Sequence, residues 1–399
     1  MKFTNNRVNY MNPIMVGLIM VLLGMVFSLA QFKVIMNMGQ IVESVNMAEV
    51  LVPWLMSIFT VFGIFLSIPS GTLVQKFGPK RIMLTAAAIL IIGTVLGSFA
   101  DNGLVLLISR AIEGIGYSIM IVAGPAMVVT HTQPDKVGIS MGIWVCWVSI
   151  GQIIAFNLTP ALFNMMSSNW HYIWIIYAAI SMIATLIVKF TVTAPTPTVL
   201  TDSHTKAEKI SLKDVLLKKD LMFVSIGYCG FNCLMLGLLT YMAAAAQQTA
   251  GMSASQAAFV ASIPMIGCFI SGPAFGRISL KSGCKKLLIL GLAGSSVGYI
   301  LAFSTSIPLI YVGAVLFGLL GLGIPGLVFS SVAELVGNPK LIGIGTGVIV
   351  TFQALGMFLA STFFPNFIDL GGSNFIGALI YAGLVAMISI TLVLLAKFR

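Results

Sequence analysis

Between Pro13 and Ala396 the chain repeatedly runs for about 20 residues with hardly a charge, and no other feature limits its fold so tightly. A helix rising about 1.5 Å per residue needs roughly that many apolar residues to cross a hydrocarbon core about 30 Å thick. The runs therefore read as twelve transmembrane helices: Pro13–Phe32, Leu51–Val74, Ile82–Ala100, Leu104–Thr130, Val137–Phe163, Ile173–Val192, Leu221–Ala246, Ala257–Leu280, Leu287–Phe303, Ile307–Ala333, Leu341–Phe367 and Phe375–Ala396. The length of 399 residues alone suggests two soluble domains. A mean hydropathy of +1.05 with only 8% charged residues excludes them, and the chain reads as an all-α polytopic membrane protein. The first run follows Lys2 and Arg7, is too long for a signal-peptide core, and precedes MNMGQIVESVN rather than a small-residue cleavage site, so it reads as an uncleaved anchor.

The formal net charge of +10 comes from connections, not from one face. With the N-terminus inside, all of the 21 Lys and Arg except Lys33 and Arg110 fall on one side, while Glu43, Glu49, Asp101 and Asp369 fall on the other. That asymmetry places both termini in the cytoplasm of a multi-pass cytoplasmic (inner) membrane protein, and it reports topology rather than a nucleic-acid partner. The five cysteines, mostly within spans, do not make a disulfide framework. Cys229 and Cys233 are one turn apart, but no His or acidic residue joins them, so no metal and no organic cofactor is expected.

The longest polar interruption, residues 193–220, opens Pro- and Thr-rich and divides the chain into an N-terminal bundle (1–192) and a C-terminal bundle (221–399) of six spans each. The two halves repeat at a constant offset of 205 residues (71 to 276): GTLVQKFGPKR at 71–81 matches GRISLKSGCKK at 276–286, and PDKVGISMG at 134–142 matches PKLIGIGTG at 339–347. At the same offset Gly151 meets Gly356 and Pro160 meets Pro365. Gly71 is expected to let two helices approach, and the basic cluster after it to hold the loop in the cytoplasm. The PxxxGxxxG pattern starts spans five and eleven with proline in the first turn and a small-residue stripe for packing.

These motifs resemble those of the major facilitator superfamily over nearly the whole chain. GTLVQKFGPKR is similar to the signature loop between helices two and three, which would make Gly71, Gln75, Lys76, Gly78, Lys80 and Arg81 a cytoplasmic gate motif. Gln75 stands where that loop usually carries aspartate, so its charged latch is here a neutral hydrogen bond or absent. RAIEGIG in span four is similar to the family's second motif, with Arg110 as the buried arginine. The antiporter motif of helix five fails, because Ala155 and Phe156 replace its Gly-Pro pair. RAIEGIG together with GIWVCWVSIG is most similar to the cyanate and nitroimidazole permease branch. The resemblance implies two pseudo-symmetric six-helix bundles rocking about a site near the bilayer midplane, and no enzyme chemistry.

By residue count Arg110 lies about 10–13 Å inside the membrane and Glu113 near its middle. A charge there costs at least about 2.5–3.5 kcal/mol against lipid, so both are expected to face inward, on one helix face with Tyr117. Either they neutralise each other across one turn, or Arg110 binds an anionic group of the solute while Glu113 carries a proton. Lys33, at the outer end of span one, adds a positive charge on the same side, as an interfacial anchor or with a role beyond anchoring. The C-terminal half carries no interior charge before Glu334, which leaves Asn232 and Gln353 as neutral solute contacts or interhelical ties; Trp147 and Gln152 of span five are further contacts or packing. Gly124-Pro125 and Gly323 with Pro325 weaken the helical ladder in spans four and ten, as hinges or as close-packing sites. The expected function is a secondary transporter of a small anionic organic solute, acting as a monomer in lipid with the proton as coupling ion. The alternative is a drug efflux antiporter, favoured by a broad aromatic cavity. A channel or receptor lacks support, since the central loop offers no signalling domain.

Overall fold

The computed structural model describes residues 10–133, 140, 143–167, 169–192, 217–337, 342–371 and 373–398. Its helices are α1 (Pro13–Phe32), α2 (Met38–Ser44), α3 (Trp54–Phe77), α4 (Pro79–Gly97), α5 (Gly103–His131), α6 (Trp147–Met165), α7 (Trp170–Thr191), α8 (Lys219–Ala250), α9 (Ala254–Ser282), α10 (Cys284–Ala302), α11 (Ile307–Leu316), α12 (Ile324–Val336), α13 (Ile342–Gly371) and α14 (Asn374–Leu395). Twelve helical segments among the described residues are long and apolar enough to span a bilayer. Large apolar side chains such as Phe65, Phe99, Leu104 and Phe190 stay exposed, as a surface solvated by lipid requires. The central segment 193–216 and the motif at 134–139 lie outside the described residues.

Local sequence sets the helix ends. Asn12 and Asn102 accept hydrogen bonds from the backbone N–H groups of Ile14 and Val105, both at 3.0 Å, and so start α1 and α5. Gly78 and Gly283, 205 residues apart, join α3 to α4 and α9 to α10 with φ of 82° and 79°, a region closed to most side chains. The lysines that follow repeat the correspondence. Lys80 donates to the Lys189 and Val192 carbonyls at the end of α7, and Lys285 to those of Leu394 and Ala396 at the end of α14. Lysine at a helix C-terminus satisfies carbonyls that have no intrahelical donor. Within the expected gate loop, then, Gly78 and Lys80 shape the turn and tie it down, whereas a Cβ at Gly71 would come no nearer than 4.0 Å to Val122. The close approach expected at Gly71 is absent because α3 and α5 make their tight contact farther along, at Gly114. Lys76 and Arg81 are exposed, and the side chain of Gln75 lies outside the described residues.

Packing repeats as well. In the first half α5 lies along α3 and α4, and α6 along α1; in the second, α11 lies along α10 and α13 along α8. Gly151 brings α6 onto α1, where an added Cβ would meet Ser28 Cβ at 2.5 Å; Gly356 brings α13 onto α8 in the same way, with Asn232 Cβ at 3.0 Å. Between the halves, α3 runs antiparallel to α13 and α6 packs on α9. This seam is made of neutral contacts. Ser57 Oγ lies 2.7 Å from Ser361 Oγ and 2.8 Å from Thr362 Oγ1, and Asn157 donates to Ser262 at 2.9 Å. A Cβ added at Gly63 would meet Ala354 at 2.7 Å.

Span ten departs from one continuous helix. A π-helical turn at Phe317–Gly321 separates α11 from α12, and Pro325 stands in the first turn of α12. Gly323 leaves room for Phe275, whose Cδ2 a Cβ would meet at 2.4 Å. By contrast α5 runs through Pro125 without a break, and Gly124 accommodates Trp144 at 2.7 Å.

Candidate functional site

Three charged side chains converge inside the first half, and all have 0% exposure. Lys33 Nζ lies 2.5 Å from Glu113 Oε1 and Arg110 Nη1 lies 2.6 Å from Glu113 Oε2. Thr94 of α4 donates to Glu113 Oε1 at 2.7 Å, so the carboxylate has three donors from three parts of the chain. The rest of the guanidinium is taken up by backbone. Nη1 also donates to the Ala30 carbonyl (2.6 Å), Nη2 to that of Gln31 (3.1 Å) and Nε to that of Leu55 in α3 (3.1 Å).

The break in the chain after Phe32 explains this arrangement. Ala30 and Gln31 belong to the last turn of α1, whose carbonyls lack intrahelical donors and form the negative end of the helix dipole. Arg110 caps them. Small residues let α5 come close enough: a Cβ at Gly114 would lie 2.4 Å from the Phe59 carbonyl oxygen, and one at Gly93 would lie 2.7 Å from the Glu113 nitrogen. The glycines of RAIEGIG thus serve its two charges. Lys33, Thr94 and Phe59 complete the site, and no sequence pattern groups them with RAIEGIG because they come from three other parts of the chain.

The cluster carries two positive charges and one negative, a net +1 in an apolar surround. Among the described residues no other Lys, Arg, Asp or Glu is buried. At the 205-residue offset, Lys33, Thr94, Arg110 and Glu113 correspond to Leu238, Tyr299, Val315 and Gly318. Tyr299 there joins Phe303, Phe364 and Tyr381 in an aromatic cluster with centroids 4.9–6.0 Å apart. Among the described residues, buried charge is a property of the first half only.

A cleft opens at the seam beside this cluster. It offers only about 10 Å³, room for roughly one water molecule in this conformation, and is lined by Thr60, Ser67, Tyr117, Ser118, Gln353 and Met357 among others. Small-molecule sites usually offer roughly 300–1,000 Å³, so the seam is closed to a solute in this conformation. Tyr117 and Gln353 meet here from opposite halves. Arg110 and Glu113 are not among its lining residues; the Phe59 ring links the two places, with the Arg110 guanidinium carbon 4.3 Å and the Tyr117 ring centroid 5.0 Å from its own centroid. Trp147 supports Tyr117 at 6.2 Å and packs on α1 at Gly24, where a Cβ would meet it at 2.7 Å. Gln152 is buried with neither amide atom hydrogen-bonded. Asn232 donates to the Tyr228 carbonyl at 2.8 Å and leaves its oxygen unpaired, as does Gln353. Buried polar atoms without partners are rare, and Gln353 carries one into the lining of the cleft. Cys229 and Cys233 are free and buried, and the described residues contain no group of His, Cys, Asp and Glu suited to a metal.

Twelve spans, twofold repetition and a crevice at the seam between the halves are the features of a membrane carrier for small solutes. The chain belongs to the Major Facilitator Superfamily, which it matches over residues 16–361 and again over 242–399. It is similar to the sialic acid transporter NanX of Escherichia coli, 27% identical over 332 residues that cover 80% of this chain and 79% of that protein. It is also similar to a probable chloroplastic anion transporter of Oryza sativa, 24% identical over 59% of this chain and 48% of the relative. A probable sulfoacetate transporter of Cupriavidus necator is 22% identical over 58% of each. The chain thus spans about half the length of these last two. The protein is a multi-pass secondary transporter and not an enzyme.

Proposed function

We propose that the protein carries a small anionic organic solute across the cytoplasmic membrane by alternating access, with both termini in the cytoplasm and the proton as coupling ion. The observation that carries this reading is a sealed cluster of net charge +1 linked by a single ring, Phe59, to a cleft between two halves that touch through neutral groups. Ion pairs tie the first half internally, while the seam that must part holds none among the described residues. Tyr117 and Gln353 bind the solute from the two halves, and Gln152, Asn232 and Trp147 complete its surround as the seam opens. The relatives named for sialic acid, anions and sulfoacetate support an anion as cargo.

Arg110 acts on that anion from a distance. Seven residues along α5 separate it from Tyr117, about 10 Å, and a unit charge at that distance in an effective dielectric of about 20 contributes roughly 1.5–2 kcal/mol. Protonation of Glu113 turns the cluster from +1 to +2. Proton and anion then favour each other's binding, and the linkage is reciprocal. Tyr117 is the one aromatic ring among the described lining residues of the cleft, which supports this reading over efflux of bulky amphipathic drugs.

The test is uptake of sialic acid and of sulfoacetate into proteoliposomes under an imposed pH gradient. Wild type accumulates at least one of them, and Glu113→Gln loses accumulation while it keeps counterflow exchange. Accumulation by Glu113→Gln at the wild-type level contradicts the coupling role.

A further inference from the structure

Lys33 is wholly buried, yet the cluster needs only one cation to neutralise Glu113. Arg110 already supplies that charge, and every guanidinium nitrogen has an acceptor. It also caps α1, so its place is accounted for without Lys33. Lys33 has one hydrogen-bond acceptor for its three N–H groups, Glu113 Oε1, and otherwise faces the Trp174 ring at 4.3 Å. Breaking an ion pair by removing one partner leaves a lone buried charge, but removing Lys33 leaves a neutral Arg110–Glu113 pair. As a device for packing, a neutral side chain of the same length serves better. What Lys33 adds that such a side chain lacks is a surplus positive charge. The groups that face it are Glu113 and Arg110 of α5, Thr94 of α4 and Trp174 of α7, and none cancels that surplus.

We propose that Lys33 is a charge-selectivity residue: it touches no solute, and it sets the positive potential that makes the cleft at Tyr117 and Gln353 favour anions. Glu113 lies one helical turn from Tyr117, about 6 Å along α5, and Lys33 is in contact with Glu113. The path between them and the cleft runs through side chains, not bulk water, so screening by salt is weak. This role rests on the reading of the cleft as the solute site and adds the group that selects solute charge.

The experiment reads the potential without knowing the solute. Gln353→Cys is placed in the full chain with its five native cysteines changed to alanine, reconstituted in neutral-lipid vesicles. Its modification rates by a sulfonate-bearing and by a trimethylammonium-bearing methanethiosulfonate are measured, and their ratio is taken. Lys33→Met is expected to lower the anion-to-cation ratio at least tenfold, Lys33→Arg to preserve it, and Glu113→Gln to raise it. A distorted cleft changes both rates together and cannot move the ratio in opposite directions for Lys33→Met and Glu113→Gln. An unchanged ratio in Lys33→Met overturns the inference. Protection of a thiol placed instead at Ser118, a lining residue with no assigned solute contact, by saturating sialic acid or sulfoacetate is scored separately: its absence counts against the cleft as the solute site, while the ratio still decides the role of Lys33.

Discussion

Glu113→Gln conserves volume and removes one charge, and its cost follows from the donors around the carboxylate. Oε1 accepts from Lys33 and Thr94, and Oε2 accepts from Arg110 at 2.6 Å. Glutamine has one acceptor and one NH₂ group. Whichever way the amide turns, its nitrogen faces a donor, and both cations lose their anion in a wholly buried place. Removing one partner from a buried ion pair costs about 3–5 kcal/mol. Lys33→Met alone keeps the Arg110 and Thr94 bonds to the carboxylate and removes the desolvation cost of a second buried cation along with its hydrogen bond, so it is expected to lie within about 1.5 kcal/mol of wild type. In Glu113→Gln/Lys33→Met one of the two stranded cations is gone. The double variant is therefore more stable than the sum of the single losses, by a coupling of about 1–3 kcal/mol. Reversible unfolding in mixed micelles titrated with sodium dodecyl sulfate measures all four proteins. A Glu113→Gln protein within about 1 kcal/mol of wild type, or strictly additive losses, refutes the cluster as the internal tie of the first half.

Other consequences are accessible to the same preparations. Ser57→Cys/Ser361→Cys, in a background without native cysteines, is expected to oxidise to a disulfide across the seam, where the native hydroxyls lie 2.7 Å apart, and to stop counterflow until dithiothreitol is added; transport by the cross-linked protein contradicts a seam that must open. Gly114→Val drives α3 from α5 because an added Cβ already meets the Phe59 carbonyl at 2.4 Å, and it should lose about 2–3 kcal/mol or fail to accumulate, whereas Gly383→Ala, with nothing within 4 Å, should gain a few tenths to about 1 kcal/mol. Lys80→Ala and Lys285→Ala each uncap one helix end and should each lose about 1 kcal/mol in unfolding; a loss confined to one of them contradicts their equivalence.

The spans, the twofold repetition and the inward turn of Arg110 and Glu113 follow from hydropathy, offset and the cost of charge in lipid, all of which act through neighbours in sequence or through the solvent. What sequence leaves hidden depends on which elements meet. Lys33 is 80 residues from Glu113, and a lysine at the end of an apolar run looks like an interfacial anchor until the turn after Phe32 points it inward. Arg110 reads as an anion ligand because an unpaired guanidinium in a membrane needs an acceptor. Its acceptors are instead the last carbonyls of α1; hydropathy places that helix end at Phe32, but nothing in the sequence sets Arg110 against it. Phe59 has an unremarkable apolar identity, and only the packing of α3 on α5 makes it the link between charge and cleft. The glycines divide the same way. Gly78 and Gly283 announce themselves by their repeated turn motif, while Gly114 and Gly93 matter through what lies opposite.

Transport by this mechanism requires two bodies that rock about the seam, and spin-label distances test it most directly. Labels at Val50 and Phe363 report the end of the seam that Ser57 and Ser361 close, labels at Phe77 and Ile278 report the opposite end, and labels at Val50 and Leu104 report the first half alone; all of these side chains are exposed. Addition of a transported anion is expected to change the first two distances in opposite senses and leave the third fixed. If the distance within the first half changes as much as those across the seam, or if the two ends of the seam widen together, the protein does not work by rocking of halves held rigid by a buried charge cluster.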